Sequence, residues 1–490
     1  MKILLIEPRT PETFWSMRHA LRFVGKRAAN PPLGLITVAG MLPREWPCRL
    51  VDLNCSSLSD ADINWADWVF VSGMEIHRGS VAEVVRRCHA LGKKVIGGGP
   101  LFTPDPQNSV GVDHVVVGEA EELIGDLVAD LVSGNPRSLY EAPRFPDLSH
   151  SPIPRWDLLN LSRYATLSVQ SCRGCPFDCE FCDVVALNGH KPRYKSPQQF
   201  VAELESLRVL GWRGPVFVVD DNFIGDIRRC RELLHAVIAW RQRTRARMVF
   251  VTEASVNMAA HPALLDLMVT AGFKKVFLGL ETPNAESLRE CRKVQNLRQN
   301  LVESVHIIQA AGLEVMGGFI VGFDSDEPDI FQRQFDFIQN AGVVTAMVGL
   351  LQAMPRSRLY QRLSQEGRLR DVGHGDNTLG FFNFETRLDS KFLEENYRKL
   401  MLRLYEPANY YRRILTFLDA HRMSGPRERL NWRDIGAVLR SFWVMGIATK
   451  GRRAYWRFVT TTLVRHPNQI GVAFTLVIMG HHFRRVAAGL

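Results

Sequence analysis

The sequence has no run of about 18 uncharged apolar residues, the length a bilayer-spanning helix needs. Its longest candidate, residues 470–480 (IGVAFTLVIMG), falls short, so no transmembrane helix is expected. A secretory signal is missing too. MKILLIEP has one Lys and a short apolar run stopped by Glu7 and Pro8, with no small-residue cleavage site behind it. That segment reads as a first β-strand. Acidic residues are scarce at the other end: residues 410–490 hold 14 Lys and Arg against 3 Asp and Glu. The net charge of +10 therefore belongs to the tail, and the first 409 residues are close to neutral. Internal repeats and long low-complexity segments are also absent, which excludes repeat architectures.

What is present is a chain of 490 residues, 46% hydrophobic, longer than one core usually organises and suited to two to four domains. Nine cysteines is an odd number for a long chain without an export signal, and four of them crowd into residues 172–182. Metal ligation fits that crowding better than disulfides, and it implies a reducing, cytoplasmic compartment.

The first third alternates apolar strands (KILLIEP, CRLVDLN, WVFVSGM, KKVIGGGP, HVVVGEA) with helical patterns around 33–42, 81–91 and up to about 132. The alternation predicts an α/β, doubly wound, Rossmann-like parallel sheet over residues 1–140, with its ligand crevice at the strand carboxyl ends. A Pro-rich stretch places a linker at 141–164. Alternation then resumes with TLSVQ, PVFVVDDNF, MVFVTEASV, KVFLGLET, VMGGFIVGF and TAMVGLLQA. Six strands with crossover helices predict a partial (β/α)6 barrel over 165–385, whose functional groups sit at the strand carboxyl ends. Residues 386–490 read as a mostly helical, basic region.

In SCRGCPFDCEFCD, Cys175, Cys179 and Cys182 occupy one short loop directly after a strand and can converge on one cluster. Three cysteines leave one iron of a four-iron cube open, whereas structural zinc sites and ferredoxin-type clusters recruit a fourth ligand. A zinc site with a distant fourth ligand, or a redox cysteine cluster, is the competing interpretation. Cys172 is extra to the pattern and is taken as a neighbour, not a ligand.

The C-x3-C-x2-C spacing, with the aromatic Phe181 before the last Cys, resembles the signature of the radical SAM superfamily. The resemblance implies a [4Fe-4S] cluster whose unique iron chelates S-adenosylmethionine, cleaved on reduction to methionine and a 5′-deoxyadenosyl radical. The later strand ends agree with that plan. They carry Asp220, Asp221 and Asn222, then Glu253 and Asn257, then Gly279 and Glu281, then Gly317, Gly318 and Gly322. Acidic groups there can accept from ribose hydroxyls or an ammonium group, and glycines leave room for adenine. Asp220, Glu253 and Glu281 are the first candidates. Helix caps and turn glycines are the plainer alternative.

A doubly wound domain ahead of such a barrel resembles the cobalamin-binding domain of one radical SAM subclass. Its candidate contacts are Ser72 and Gly73, Gly97, Gly98 and Gly99, and Gly118 with Glu119. The D-x-H-x-x-G loop that supplies a lower cobalt ligand elsewhere is absent. His77 lies where relatives often carry Gln and is the candidate to approach the cobalt from below. The alternatives are an ordinary loop histidine and a relic domain that shapes the substrate entrance.

The tail interleaves its basic residues with Trp432, Trp443, Tyr455, Trp456 and Phe458. It reads as a peripheral membrane anchor at the inner face of the membrane, a nucleic-acid surface, or solvated helices packing on the barrel. The whole chain, with FVVDDNFIG, GLETP, GGFIVGFDSD, GLLQAMP and YEPANYYRR, resembles the cobalamin-binding radical SAM branch that contains the hopanoid C-2 methylase. That resemblance implies methylation of an unactivated carbon of a hydrophobic, lipid-like substrate. One S-adenosylmethionine regenerates methylcobalamin, a second yields the radical, and a flavodoxin or ferredoxin supplies electrons. A cyclase or oxidative rearrangement on a tetrapyrrole-like substrate, and a cluster-bearing nucleic-acid-binding or regulatory protein, are the rival readings; nucleic acid is not an expected partner.

Overall fold

The computed structural model describes residues 1–108, 110–371, 373, 375–376, 380–423 and 432–490, without the side chains of 108 and 432–434. Trp432, one of the tail aromatics, therefore has its side chain outside the described residues.

Six parallel strands, β1 (Ile3–Glu7), β2 (Cys48–Asp52), β3 (Trp68–Ser72), β4 (Val95–Gly98), β5 (His114–Val117) and β6 (Leu139–Glu141), form the first sheet in the order β2-β1-β3-β4-β5-β6. Burial explains the near-continuous apolar runs. Along β1, Leu4 and Ile6 enter one apolar cluster while Ile3 and Leu5 enter another, so helices cover both faces. The chain reverses direction across the sheet between β1 and β3, where such sheets bind ligands. β6 was not expected; its three residues are too few to show a pattern.

The second sheet is also parallel, ordered β14-β13-β12-β11-β10-β7. Its members are β7 (Leu167–Val169), β10 (Val216–Val218), β11 (Phe250–Ala254), β12 (Phe273–Glu281), β13 (Glu314–Val321) and β14 (Thr345–Leu350). These are the six expected barrel strands. Val276, Leu278 and Leu280 of β12 are fully buried beneath the outer helices, whereas Lys275, Phe277 and Gly279 point into the open interior and stay partly accessible. A short antiparallel pair, β8 (Cys172–Arg173) with β9 (Arg193–Tyr194), was not anticipated.

Every residue of β14 is buried although it ends the sheet. The helices Ser390–Leu404 and Pro407–Ala420 cover that edge: the hydroxyl of Tyr397 donates to Val348 O at 3.0 Å, and that of Tyr405 donates to Ala346 O. Arg413, fully buried, donates to Gln339 Oε1 at 2.7 Å and Leu404 O at 3.0 Å. An edge that would otherwise pair with another chain is closed. The helix Arg18–Val24 leaves the first domain and packs on the C-terminal helices Trp432–Gly446 and Ile470–Ala487. Its Ala20 and Phe23 belong to the barrel's core. Tyr455 and Phe458 are buried in the same helical layer. No helix among the described residues is long and apolar enough to cross a membrane.

Candidate active site

The pairing of β8 with β9 closes residues 174–192 into a hairpin, and Cys175, Cys179 and Cys182 all lie on it. Its entry requires glycine. Gly174 has φ +99°, and a β-carbon there would stand 2.8 Å from Gly189 O. The two carboxylates after β10 brace the base. Asp220 accepts from Ser171 N at 2.7 Å, from Cys172 N at 3.0 Å and from the Ser171 hydroxyl. Asp221 accepts from Gly174 N at 2.6 Å and from Asn188 Nδ2 at 3.0 Å. Burial pushes the Asp220 carboxyl up to about 7 against those hydrogen bonds. Asp220, expected among the cofactor contacts, is thus engaged at Oδ1 by two backbone N–H groups and at Oδ2 by the Ser171 hydroxyl.

Burial raises all three hairpin thiols, and each lies within electrostatic reach of Lys293. Lys293 Nζ sits 2.6 Å from Glu281 Oε1 and 5.7 Å from the centre of the Phe181 ring. Gln295 Nε2 donates to Cys179 Sγ at 3.8 Å, while its buried Oε1 has no partner among the described residues. Cys172 differs. It is fully buried on β8, opposite Tyr194, and Asp220 rather than the other thiols is its electrostatic neighbour. A buried thiol triad with one cation beside it is the donor set of an anionic cluster, because a thiolate needs a positive neighbour to ionise when desolvated. The residues present fit a [4Fe-4S] cluster.

Glu281 adopts φ +61°, an unusual conformation for a residue with a side chain, and its ion pair with Lys293 holds it there. Gly279 leaves the space for that pair: a β-carbon would meet Glu281 Oε1 and Lys293 Nζ. Gly318 makes room for the Phe277 ring. Glu253, on β11, faces the lumen with no side-chain hydrogen bond among those described. Burial, then repulsion from Asp221 and Asp220, pushes it up to about 7. Asn257, beyond the same strand, keeps a buried Oδ1 without a partner among the described residues. It lines a cavity of about 540 Å³ with Phe177, Tyr194 and Ile224 beside the hairpin.

Because the folded Glu253 value lies above the unfolded one, the energetic cost of ionising it is absent below about pH 4 and complete above about pH 7. Glu253→Gln is expected to stabilise the protein at pH 8 by on the order of 1–3 kcal/mol and to leave it unchanged in acid. Thermal unfolding at the two pH values measures this.

The carboxyl ends of both sheets face each other. Glu119, after β5, pairs with Arg173 (2.5 Å) and Arg193 on the hairpin strands, and Glu121 pairs with Arg173 at 2.8 Å. Burial alone would raise the Glu121 carboxyl; Arg173 more than reverses that. Arg356 donates to Pro104 O at 3.2 Å across the same gap. Glu119, expected at a cofactor, is a clamp between the domains. Arg173→Ala leaves the buried Glu121 carboxylate without its cation, while Glu119 keeps Arg193, and should cost about 3–5 kcal/mol, read as a lower denaturant midpoint.

In the first domain's crevice, His77 is buried. Its Nδ1 accepts from Met74 N at 3.2 Å, and Nε2 faces Thr10 Oγ1 at 3.2 Å, which sets the tautomer. Burial pushes its pKa down to about 4. Both ring nitrogens are engaged, so no free nitrogen is presented to a cobalt ion. The exposed residue at that turn is Met74. Gly97 is needed by the Phe102 ring, Gly99 (φ +92°) by Ser72 Oγ, and Gly73 by His77. Gly118 (φ +80°) has open space where its β-carbon would be, and at Gly98 the nearest atom would be 3.7 Å away. A flat ligand can approach the backbone there, which fits a corrin lying in the crevice.

A thiol hairpin after the first strand of an open β/α barrel is how radical SAM enzymes hold their cluster, and here the barrel mouth looks into a nucleotide-type crevice. Family models agree: radical SAM superfamily at residues 169–350, B12 binding domain at 27–128, and a domain of unknown function at 357–490. The chain is 39% identical over 99% of its length to an uncharacterized methyltransferase of Synechocystis, covering 91% of that protein. It is 33% identical over 98% of its length to the hopanoid C-2 methylase of Rhodopseudomonas palustris, covering 92% of it. Among solved structures it resembles the radical S-adenosylmethionine methyltransferase TsrM of Kitasatospora setae with cobalamin and [4Fe-4S] cluster bound, at TM-score 0.61, 15% identity and 74% and 78% coverage of the two chains. The cobalamin-dependent radical enzyme OxsB matches at TM-score 0.62 and 13% identity, over all of this chain and 80% of its own.

The chain belongs to the B12-binding radical SAM methyltransferases. Its cofactors are a [4Fe-4S] cluster, S-adenosylmethionine and cobalamin.

Proposed function

We propose that this enzyme methylates an unactivated carbon of a hydrophobic, lipid- or isoprenoid-like substrate. The observation that carries the reading is the full-length likeness to the hopanoid C-2 methylase, tail included. The aromatic lining of the lumen supports it. Trp15, from the loop after β1, lies 5.0 Å from Phe277 between ring centres, so a partly exposed apolar wall runs from the first domain into the barrel. Apolar walls with few polar groups suit a large hydrocarbon.

When bound, the cluster and S-adenosylmethionine supply a 5′-deoxyadenosyl radical, and cobalamin supplies the methyl group. The chain's part is placement. Cys175, Cys179 and Cys182 would hold the cluster, and Lys293, beside the Phe181 ring, and Gln295, at Cys179, would stabilise its negative charge. Glu253 and Asn257 offer free acceptors toward the amine or ribose of S-adenosylmethionine. Ser72, Gly98, Gly118 and Met74 line the corrin's bed, and the clamp at Arg173 keeps both cofactor sites facing one substrate. We assign residues 1–140 to cobalamin, 165–385 to the radical chemistry and 386–490 to closing the barrel, with a flavodoxin or ferredoxin as reductant and the membrane periphery as workplace.

Lipid mass spectrometry of a strain lacking this chain tests the reading. Loss of a lipid series one methyl heavier than its precursor is expected; an unchanged lipid profile would contradict it.

A further inference from the structure

The C-terminal helical layer presents an apolar stripe to solvent. On the helix Trp432–Gly446 and its last turn, Ile435, Leu439, Trp443 and Ile447 recur every four residues, exposed by 43%, 61%, 65% and 53%. The opposite face, with Ala437, Ser441 and Met445, is buried against the helices Arg18–Val24, Arg452–Arg465 and Ile470–Ala487. The stripe is therefore the face this helix leaves uncovered. Gly436 on the same side has open space above it, so nothing interrupts the surface.

Trp456 extends the stripe at the next turn. Its ring stacks on Phe442 at 5.6 Å, its Nε1 donates to Gly446 O at 3.0 Å, and 43% of it remains exposed. Lys450, Arg452, Arg453 and Arg457 surround this corner, all exposed and without an ion pair among the described residues. From residue 435 to 490 the sequence has no Asp or Glu at all. An exposed Trp443 and a Trp456 anchored on Phe442, set among exposed aliphatic side chains and ringed by cations with no ion pair among the described residues, are complementary to one kind of surface: apolar beneath and negative on top.

We infer that this hairpin corner docks the enzyme on an anionic phospholipid bilayer, with Trp443, Ile447 and Trp456 at the head-group boundary and the four cations on lipid phosphates. The inference deepens the lipid-substrate reading, since a substrate dissolved in the bilayer reaches an enzyme that sits on it. It rests on that reading for its purpose and not for its evidence.

The test is co-sedimentation of the full-length reconstituted enzyme with phosphatidylcholine vesicles and with vesicles containing phosphatidylglycerol, without substrate. Binding is expected only with phosphatidylglycerol and should weaken as salt rises. Arg452→Gln with Arg453→Gln should weaken it by roughly fivefold per charge. Trp443→Glu with Leu439→Glu should release the enzyme while leaving deoxyadenosine formation from S-adenosylmethionine at the wild-type rate, which shows that the variant is folded. Wild-type protein that stays in the supernatant, stripe variants that sediment like wild type, or a stripe variant that instead dissociates a dimer in gel filtration would each overturn the proposal. Failure of the substrate reading appears separately, as binding to vesicles without methylation of any lipid.

Discussion

Serine in place of any one of Cys175, Cys179 or Cys182 is expected to abolish the brown charge-transfer absorption of the reconstituted protein and lower the rate of S-adenosylmethionine cleavage by at least about 10³-fold. The hairpin itself offers the cluster three thiols. Cys172 cannot substitute, because it sits fully buried on β8 opposite Tyr194, with Asp220 rather than the three thiols beside it. Cys172→Ser should therefore keep both the absorption and the activity. Iron and sulfide content per chain measures the outcome directly, and a Cys172 variant that loses its cluster would move the ligand set.

Lys293→Ala should be the second most damaging change. It leaves Glu281 buried and unpaired, and removing one partner of a buried pair costs about 3–5 kcal/mol. It also takes the cation away from the three thiols. A lower unfolding midpoint and an incompletely loaded cluster are both expected. Lys293→Met combined with Glu281→Gln should recover most of the stability, because no charge is then stranded. The cluster's redox response should stay altered in that double variant, since the positive charge is still missing. Recovery of stability without any change in the cluster would assign Lys293 a purely structural role.

The cysteine hairpin could be read from the sequence because its spacing is local: eight residues, 175–182, bring three thiols together whatever the rest of the fold does. The two parallel sheets were legible for a similar reason, as short apolar runs alternating with helices. Lys293 and Gln295 were not. They lie beyond the helix Ala285–Glu290 that follows β12, Gln295 on the short 3-10 turn Val294–Asn296, and meet the thiols only through the barrel's closure. Trp15 was missed because a loop residue of the first domain gives no sign that it will reach Phe277.

Strand-end carboxylates were recognised by position, and position does not say which way a side chain turns. Asp220 turns back to the hairpin backbone, Glu119 turns to Arg173, and Glu253 faces the lumen. The glycines divide in the same manner. Gly97, Gly99 and Gly279 make room for the protein's own Phe102, Ser72 and Glu281–Lys293 pair, while Gly118 opens onto free space. A sequence shows that a β-carbon is missing, and only the packing shows what takes its place. The tail's composition likewise mixed two populations: Tyr455 and Phe458 are core, whereas Trp443 is surface.

The most direct test of the account supplies the reconstituted enzyme, under strict exclusion of oxygen, with methyl-labelled S-adenosylmethionine, a reductant and a lipid extract, and follows all three products by mass spectrometry. One labelled methyl in a hydrophobic product is expected for each S-adenosylhomocysteine and each 5′-deoxyadenosine formed. Deoxyadenosine accumulating with no label in any lipid would contradict it.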